Sequence, residues 1–434
     1  MNISPLDAWI RAKINPAKAV AAAGPLRPAL EAWQLARLNE TLALARARSP
    51  FYRRLHAGLP ETLHSLQELQ DFSFTTPEEL RHNPLQLVCV SQDEIQRVVT
   101  LQSSGTTGEP KRLYFTADDQ ELTIDFFGVG MSTLTWSGER VLILLPGQTP
   151  GSVGDLLRMG LLRQGREPVP FGPVRDPLAA LEAIDAHRID CLVGSPTQVL
   201  GLARRWQPGR RMPRTVLLST DYVPRSIVKV IEETWGCEVF NHYGATEMGL
   251  GGGVECEAHA GYHLREADLY FEIIDPATGR LLPAGEYGEV VVTTLTRRGM
   301  PLIRYRMGDR SRYLPGSCAC GAALLRMEPV SGRFAGIIPI GESRLYLPDF
   351  DEALFPIPGL LNFSLTLGQN DSRTFLRVDV HLLNSAGARS VVEQALSALP
   401  AIQAVDVLIE VHQSPQEAGS ILKRVITDQR GEYA

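Results

Sequence analysis

Leu101-Gln-Ser-Ser-Gly-Thr-Thr-Gly-Glu-Pro-Lys-Arg112 is the most chemically committed stretch of this 434-residue chain. It follows an apolar run, Val98-Val-Thr-Leu101, that reads as a strand. Gly105 and Gly108 open backbone conformations closed to other residues. Successive N–H groups can then converge on an anion. Ser103, Ser104, Thr106 and Thr107 add hydroxyl donors, and Lys111 adds a point charge. These are the parts needed to grip a polyphosphate. The spacing is not that of a P-loop, because no Gly-Lys-Ser/Thr follows and the hydroxyls lie inside the loop.

Around this stretch, residues 85–250 alternate short apolar runs with helical patterns. Val141–Leu145, Cys191–Val193 and Thr215–Leu218 read as buried strands, and Asp176–Ala186 and Pro224–Thr234 as helices. That alternation predicts a layered α/β body with largely parallel strands. Residues 1–60 read as a helical cap, with a break at Ser49-Pro50. From about residue 260 to 330 the texture is β-rich, with strands expected at Leu269–Ile274, Gly288–Thr294 and Arg310–Leu314. Beyond Ser331-Gly332-Arg333, strands at Phe363–Leu367, Thr374–Leu382 and Ala404–Glu410 with a helix at Ala386–Leu399 predict a small α+β unit. The expected domains are 1–332 and 333–434.

Composition narrows the function. Hydrophobic residues make up 44% and charged residues 21%, which suits a globular protein and not a disordered one. A net charge of −6 argues against a dedicated nucleic-acid partner. No apolar run approaches about 18 residues, so no membrane span is expected. The N-terminus lacks a secretory pattern, which makes the cytoplasm the expected compartment. Six cysteines are too few for a disulfide framework in so long a chain. Cys256-Glu-Ala-His259 and Cys318-Ala-Cys320 read instead as a closed structural zinc site, with His263 as an alternative ligand. Cys89, Cys191 and Cys237 read as core residues.

Further motifs follow in order: Tyr243-Gly-Ala-Thr-Glu-Met-Gly249, Phe271-Glu-Ile-Ile-Asp-Pro276, Gly285-Glu-Tyr-Gly-Glu289 and Pro301-Leu-Ile-Arg-Tyr-Arg-Met-Gly-Asp309. Together with the glycine- and hydroxyl-rich loop, this set resembles the adenylate-forming superfamily. It is most similar to the phenylacetate–CoA ligase family, including relatives known as coenzyme F390 synthetases, over nearly the whole chain. The resemblance implies a large N-terminal α/β domain and a mobile C-terminal domain. It implies attack of a carboxylate on the α-phosphorus of ATP, with Mg²⁺ bound, and transfer of the acyl group to coenzyme A. The small-molecule acid would be aryl or small and apolar. Two other readings stay open: a non-CoA acceptor (an amine, a carrier protein or a cofactor hydroxyl), and a nucleotide-binding homologue without turnover. A homodimer is also open.

By the same resemblance, Ser103 to Lys111 would hold the β- and γ-phosphates. His242, Tyr243, Gly244 and Ala245 would line the adenine, Thr246 would touch the α-phosphate and Glu247 would hold Mg²⁺. Asp309 would accept from the ribose, and Arg333 would contact ribose or phosphate. The adenine loop, usually Gly-Gly-Glu, is Ser219-Thr-Asp221 here, so Asp221 would replace the acid. The hinge is Gly332-Arg-Phe-Ala-Gly336, without the usual aspartate. The position of the family's C-terminal catalytic lysine falls on Ile421, leaving Lys423 or Arg424 as its substitute. Phe126, Phe127, Trp136, Gly147 and Gly194 are the expected acyl-pocket residues.

Overall fold

Ser4 opens the first helix, Pro5–Ile14, by accepting from Asp7 N at 3.1 Å. Leu30, Leu38, Leu42 and Ala45 recur on one face of the helix Leu26–Arg48 and are buried there. Ser49 and Pro50 stop that helix and start the next, Pro50–Leu55, so the expected cap is three helices. The computed structural model describes residues 4–15, 25–101, 110–370, 373–419 and 424–430. Contacts divide the chain into two units.

The first unit comprises Met1–Ser137, Gln148–Arg166 and His242–Val330. Its centre is an antiparallel sheet in which Gly288–Thr294 pairs with Leu269–Ile274 on one side and Tyr305–Ser311 on the other. The third strand begins earlier than the expected Arg310–Leu314. Tyr305, Met307, Asp309 and Ser311 alternate inward, while the arginines between them hide that period in the sequence. Ile95–Leu101 and Lys111–Thr116 form an antiparallel hairpin in which Leu101 faces Lys111. The two ends of the glycine- and hydroxyl-rich segment are therefore held together.

The helix Ala117–Met131 follows, started by a reciprocal Thr116–Asp119 cap. It crosses the helix Val153–Arg163 at Gly128 and Gly160. A Cβ on Gly128 would lie 2.8 Å from Gly160 O, so only glycine permits this approach. Leu38, Leu42, Tyr52, Leu113, Phe271, Val292 and Tyr305 share one core in this unit.

The second unit comprises Gly138–Gly147, Glu167–Asn241 and Ser331–Ala434. Its parallel sheet runs in the order Glu167–Pro170, Arg140–Ile143, Cys191–Gly194, Thr215–Leu218 and the strand starting at Glu238. Cys191–Gly194 and Thr215–Leu218 are buried along their whole length, as the sequence predicts. A second sheet places Leu360–Asn370 between Arg373–Leu382 and Ile426–Asp428, with Asp406–Gln413 beyond Arg373–Leu382. Leu192, Val216 and Val239 share a core with Phe350, Phe363 and Leu376, so residues 331–434 cluster with the parallel sheet. The α/β layering, the β-rich part and the C-terminal α+β part are those expected. Among the described residues no helix is long and apolar enough to cross a membrane.

Candidate active site and metal centre

The strand ending at Tyr243 runs into a turn that requires glycine at position 244. A Cβ on Gly244 would sit 2.0 Å from Leu250 O, because the 245–250 turn folds back over it. Leu250 N donates to Ala245 O at 2.8 Å and Gly252 N to Tyr243 O at 2.9 Å, which closes the turn. A short 3-10 helix, Thr246–Met248, turns Glu247 inward. Glu247 is 5% exposed, and its carboxylate forms an ion pair with Lys111. Tyr305 Oη lies 3.4 Å from Glu247 Oε1, and Arg297 Nη1 donates to Glu247 O at 3.0 Å. Burial lowers the Arg297 pKa against the raising pull of Asp119 and Glu247, and its guanidinium lies 4.2 Å from the Phe115 ring centroid.

Tyr243 joins the second and third motifs. Its hydroxyl donates to Asp309 Oδ2 at 2.8 Å, and its ring stacks on Tyr262 at 5.7 Å. His242 is half-buried, but its Nε2 is shut off from water and burial lowers its pKa to about 4, so the ring is neutral near pH 7. Phe126 and Phe127 face it at centroid distances of 6.5 and 5.9 Å. A Cβ on Gly251 would strike Phe126 Cδ1 at 2.5 Å. Trp136, expected beside these rings, is 65% exposed and is corrected to a surface residue. Gly147 and Gly194 belong to the second unit, where a Cβ on Gly194 would press on Val199 at 2.9 Å.

Ser103, Ser104, Gly105, Thr106, Thr107 and Gly108 lie outside the described residues, as do Ile421 and Lys423. Thr246, Glu247, Lys111, His242, Tyr243, Gly244, Ala245 and Asp309 all fall in the first unit. Asp221 and Arg333 fall in the second. Arg424 is in ion-pair contact with Asp351 and Asp221. Sequence reasoning missed Tyr305, Arg297 and Tyr262. Tyr305 stands inside the PLIRYRMGD motif, so its signal was there to be read.

The thiols also converge, with one change of ligand. Cys256 Sγ lies 3.7 Å from Cys318 Sγ, and Cys320 Sγ lies 3.3 Å from His263 Nε2. All four ligand atoms lie within 4.8 Å of one another. Tetrahedral Zn²⁺ with Zn–S of about 2.3 Å and Zn–N of about 2.0 Å needs S···S of roughly 3.8 Å and S···N of roughly 3.5 Å. The donor set fits that ion. His259 is not part of it: it takes a positive φ of 45° in the turn after Cys256, and its Nδ1 lies 3.7 Å from Glu255 Oε2. His263 takes its place because Tyr262–Leu264 pairs with Arg326–Met327, which carries the 318–320 loop toward it. That loop is tied to the first helix, since Ala323 N donates to Asp7 Oδ2 at 3.0 Å. Two residues on, Trp9 Nε1 donates to Asp125 at 2.7 Å and its ring lies 6.0 Å from Phe126.

The family described as AMP-binding enzyme matches residues 17–296. A phenylacetate-coenzyme A ligase of Thermus thermophilus is 32% identical, over 76% of this chain and 76% of its own. One from Pseudomonas putida is 29% identical, over 82% of each. In fold, a 2-hydroxyisobutyryl-CoA ligase bound to 2-HIB-AMP superposes with a TM-score of 0.78 at 22% identity, covering 94% of this chain and 91% of that one. The motifs in their order, the fold and these matches together place the chain in the adenylate-forming superfamily, within its phenylacetate–coenzyme A ligase-like family.

Proposed function

We propose that this protein is an ATP-dependent acid–coenzyme A ligase that works through an acyl-adenylate on an aryl or small apolar acid. The observation that carries the reading is the buried Glu247 carboxylate. It sits beside Lys111, at the base of the hairpin whose connection carries the hydroxyl and glycine donors.

In the first step a carboxylate oxygen bonds to the α-phosphorus, and the bond from that phosphorus to pyrophosphate breaks. Negative charge gathers on the phosphoryl oxygens, so positioned donors and cations supply most of the rate. Lys111 and the donors of residues 103–108 would hold the outgoing phosphates, and Thr246 the α-phosphate. Glu247 would hold Mg²⁺, a hard cation that takes oxygen ligands and neutralises phosphate charge. Tyr243 presents its ring while its hydroxyl orients Asp309, which is left to accept from the ribose. In the second step the thiol sulfur bonds to the acyl carbon, the bond to AMP breaks and the thiol proton is lost.

The Arg424 guanidinium is engaged by two aspartates, so Lys423 is the better substitute for the missing C-terminal lysine. Phe126, Phe127 and His242 would wall the acid. Cys256, His263, Cys318 and Cys320 would hold a structural zinc, with all four positions filled by protein. The same reading makes 1–332 the nucleotide-binding domain and 333–434 a moving one, turning near Gly332. Arg333 beside it would reach the nucleotide. The enzyme would work in the cytoplasm.

The test is pyrophosphate release across a panel of carboxylic acids, followed by AMP release with and without coenzyme A. Acid-dependent pyrophosphate with thiol-dependent AMP release supports the reading. Pyrophosphate whose AMP release needs an amine instead moves it to an amide-forming ligase. ATP binding without pyrophosphate from any acid removes it.

A further inference from the structure

Thr220 carries a backbone strain in the second unit, with φ at +76°. Left-handed conformations are costly for L-residues and most of all for a β-branched one. Such strain persists only where the surroundings over-determine it. Thr220 lies just past the carboxyl end of the strand Thr215–Leu218, the side on which open α/β sheets bind ligands.

The residues on both sides are held. Ser219 N donates to Gly194 O at 3.0 Å. Asp221 Oδ1 accepts from Tyr222 N at 2.9 Å. Its Oδ2 accepts from Arg424 N at 3.3 Å and stands 3.9 Å from Arg424 Nε. Arg424 is itself anchored: Nη1 donates to Asp351 Oδ1 at 2.7 Å, and its guanidinium lies 4.9 Å from the Phe355 centroid and 5.3 Å from that of Phe363. Asp351 is fully buried. Its neighbour Glu352 accepts from Arg225 N at 2.7 Å and Ser226 N at 2.9 Å, which pins the far end of the same loop.

We propose that, when residues 333–434 are packed on the parallel sheet as they are here, Arg424 is a positioning residue that grips Asp221 and so holds Thr220 in its left-handed conformation, fixing the shape of the loop that receives the nucleotide base. The last clause rests on the reading that residues 219–221 face the adenine. Glycine would make the left-handed position free of cost, and the grip would then be dispensable. Here Thr220 and Arg424 replace that solution: the chain closes the loop from outside instead of relaxing it from within.

The experiment is a pair of double-mutant cycles, Thr220→Gly with Arg424→Gln and Thr220→Gly with Asp221→Asn, read by urea midpoint and by the ATP KM of pyrophosphate release. Asp221→Asn leaves the Arg424–Asp351 bond intact, so it covers the case in which Arg424→Gln fails to fold. With Thr220 in place, each change is expected to raise the ATP KM about tenfold, with kcat within about twofold. In the Thr220→Gly background the same changes raise it by only about twofold. The midpoint losses shrink in that background too. Equal losses of midpoint in both backgrounds overturn the proposal. Coupled midpoints with an unmoved ATP KM uphold the grip on Thr220 and overturn the assignment of this loop to the base.

Discussion

Lys111 and Glu247 are joined as an ion pair, the lysine half-buried on the strand after the glycine- and hydroxyl-rich connection and the carboxylate buried in the turn after Tyr243. Removing either charge takes away the other's ion-pair partner in a surrounding of low dielectric. Glu247→Gln keeps the shape but loses the carboxylate. Pyrophosphate release should fall 100-fold or more, on the order of 3 kcal/mol in barrier. Lys111→Met should lower the unfolding midpoint as well, because Glu247 is then buried without its partner. Unchanged release in Glu247→Gln would take this acid out of the mechanism.

Asp309 and Tyr243 can be separated by a graded pair of variants. Asp309→Ala removes the acceptor and should cut pyrophosphate release by about 100-fold. Tyr243→Phe keeps the ring and loses only the 2.8 Å hydrogen bond. Its kcat/KM for ATP should fall about tenfold, the share of one charge-assisted hydrogen bond. Equal losses in both would mean that the hydroxyl, and not the carboxylate, carries the interaction.

Phe126 should set which acids are accepted. It is almost fully buried, with Trp9, Arg265 and His242 around its ring. Phe126→Ala should shift the ratio of kcat/KM toward bulkier acids by about tenfold or more, while costing roughly 3–5 kcal/mol of stability. An unchanged ratio across the acid panel would show that the ring is core alone.

Stability should respond to acid in a specific way. Burial holds His56 and His242 at a pKa of about 4, below the ordinary 6.5. Between those values the unfolded chain takes up protons that the folded one refuses, so stability is lost as pH falls from 6.5 toward 4. Asp351 has the opposite sign. Burial, working against Arg424, lifts it from 3.8 to about 6, so the folded chain binds the extra proton and gains stability as pH falls through that window. Between about pH 6 and about pH 4 Asp351 therefore offsets about one proton's worth of the loss that the histidines cause. Asp351→Asn should steepen the fall of the urea midpoint in that window by about one proton. An unchanged slope would show that Asp351 does not titrate there.

Zinc should be present at one ion per chain by elemental analysis of the purified protein. Cys318→Ser should lose the metal and lower the melting temperature, while His259→Ala should keep it. A metal-free wild-type chain, or a zinc content that depends on His259, would reject the four-ligand set.

The YGATE turn and Asp309 were legible as motifs in the order of the family, and the backbone crossing at Gly244 gives the physical reason that glycine stands there. Layering was legible because strands such as Cys191–Gly194 are apolar on both faces. What failed was decided over long range. His259 and His263 are four apart, and only the pairing of Tyr262–Leu264 with Arg326–Met327 selects between them. Trp136 has the composition of a pocket wall and stands outside it. The strand Tyr305–Ser311 was shifted because arginines at 306 and 310 interrupt its apolar count. The strain at Thr220 had no sequence signal beyond a missing glycine.

The bond from Ala323 to Asp7 gives the cysteine loop an audience far along the sequence. Through Asp7 it restrains the first helix, and through Trp9 that helix leans on Phe126. Removing the proposed zinc should therefore be heard at Phe126, beside His242: a chelated enzyme is expected to grow careless about its acid before it unfolds.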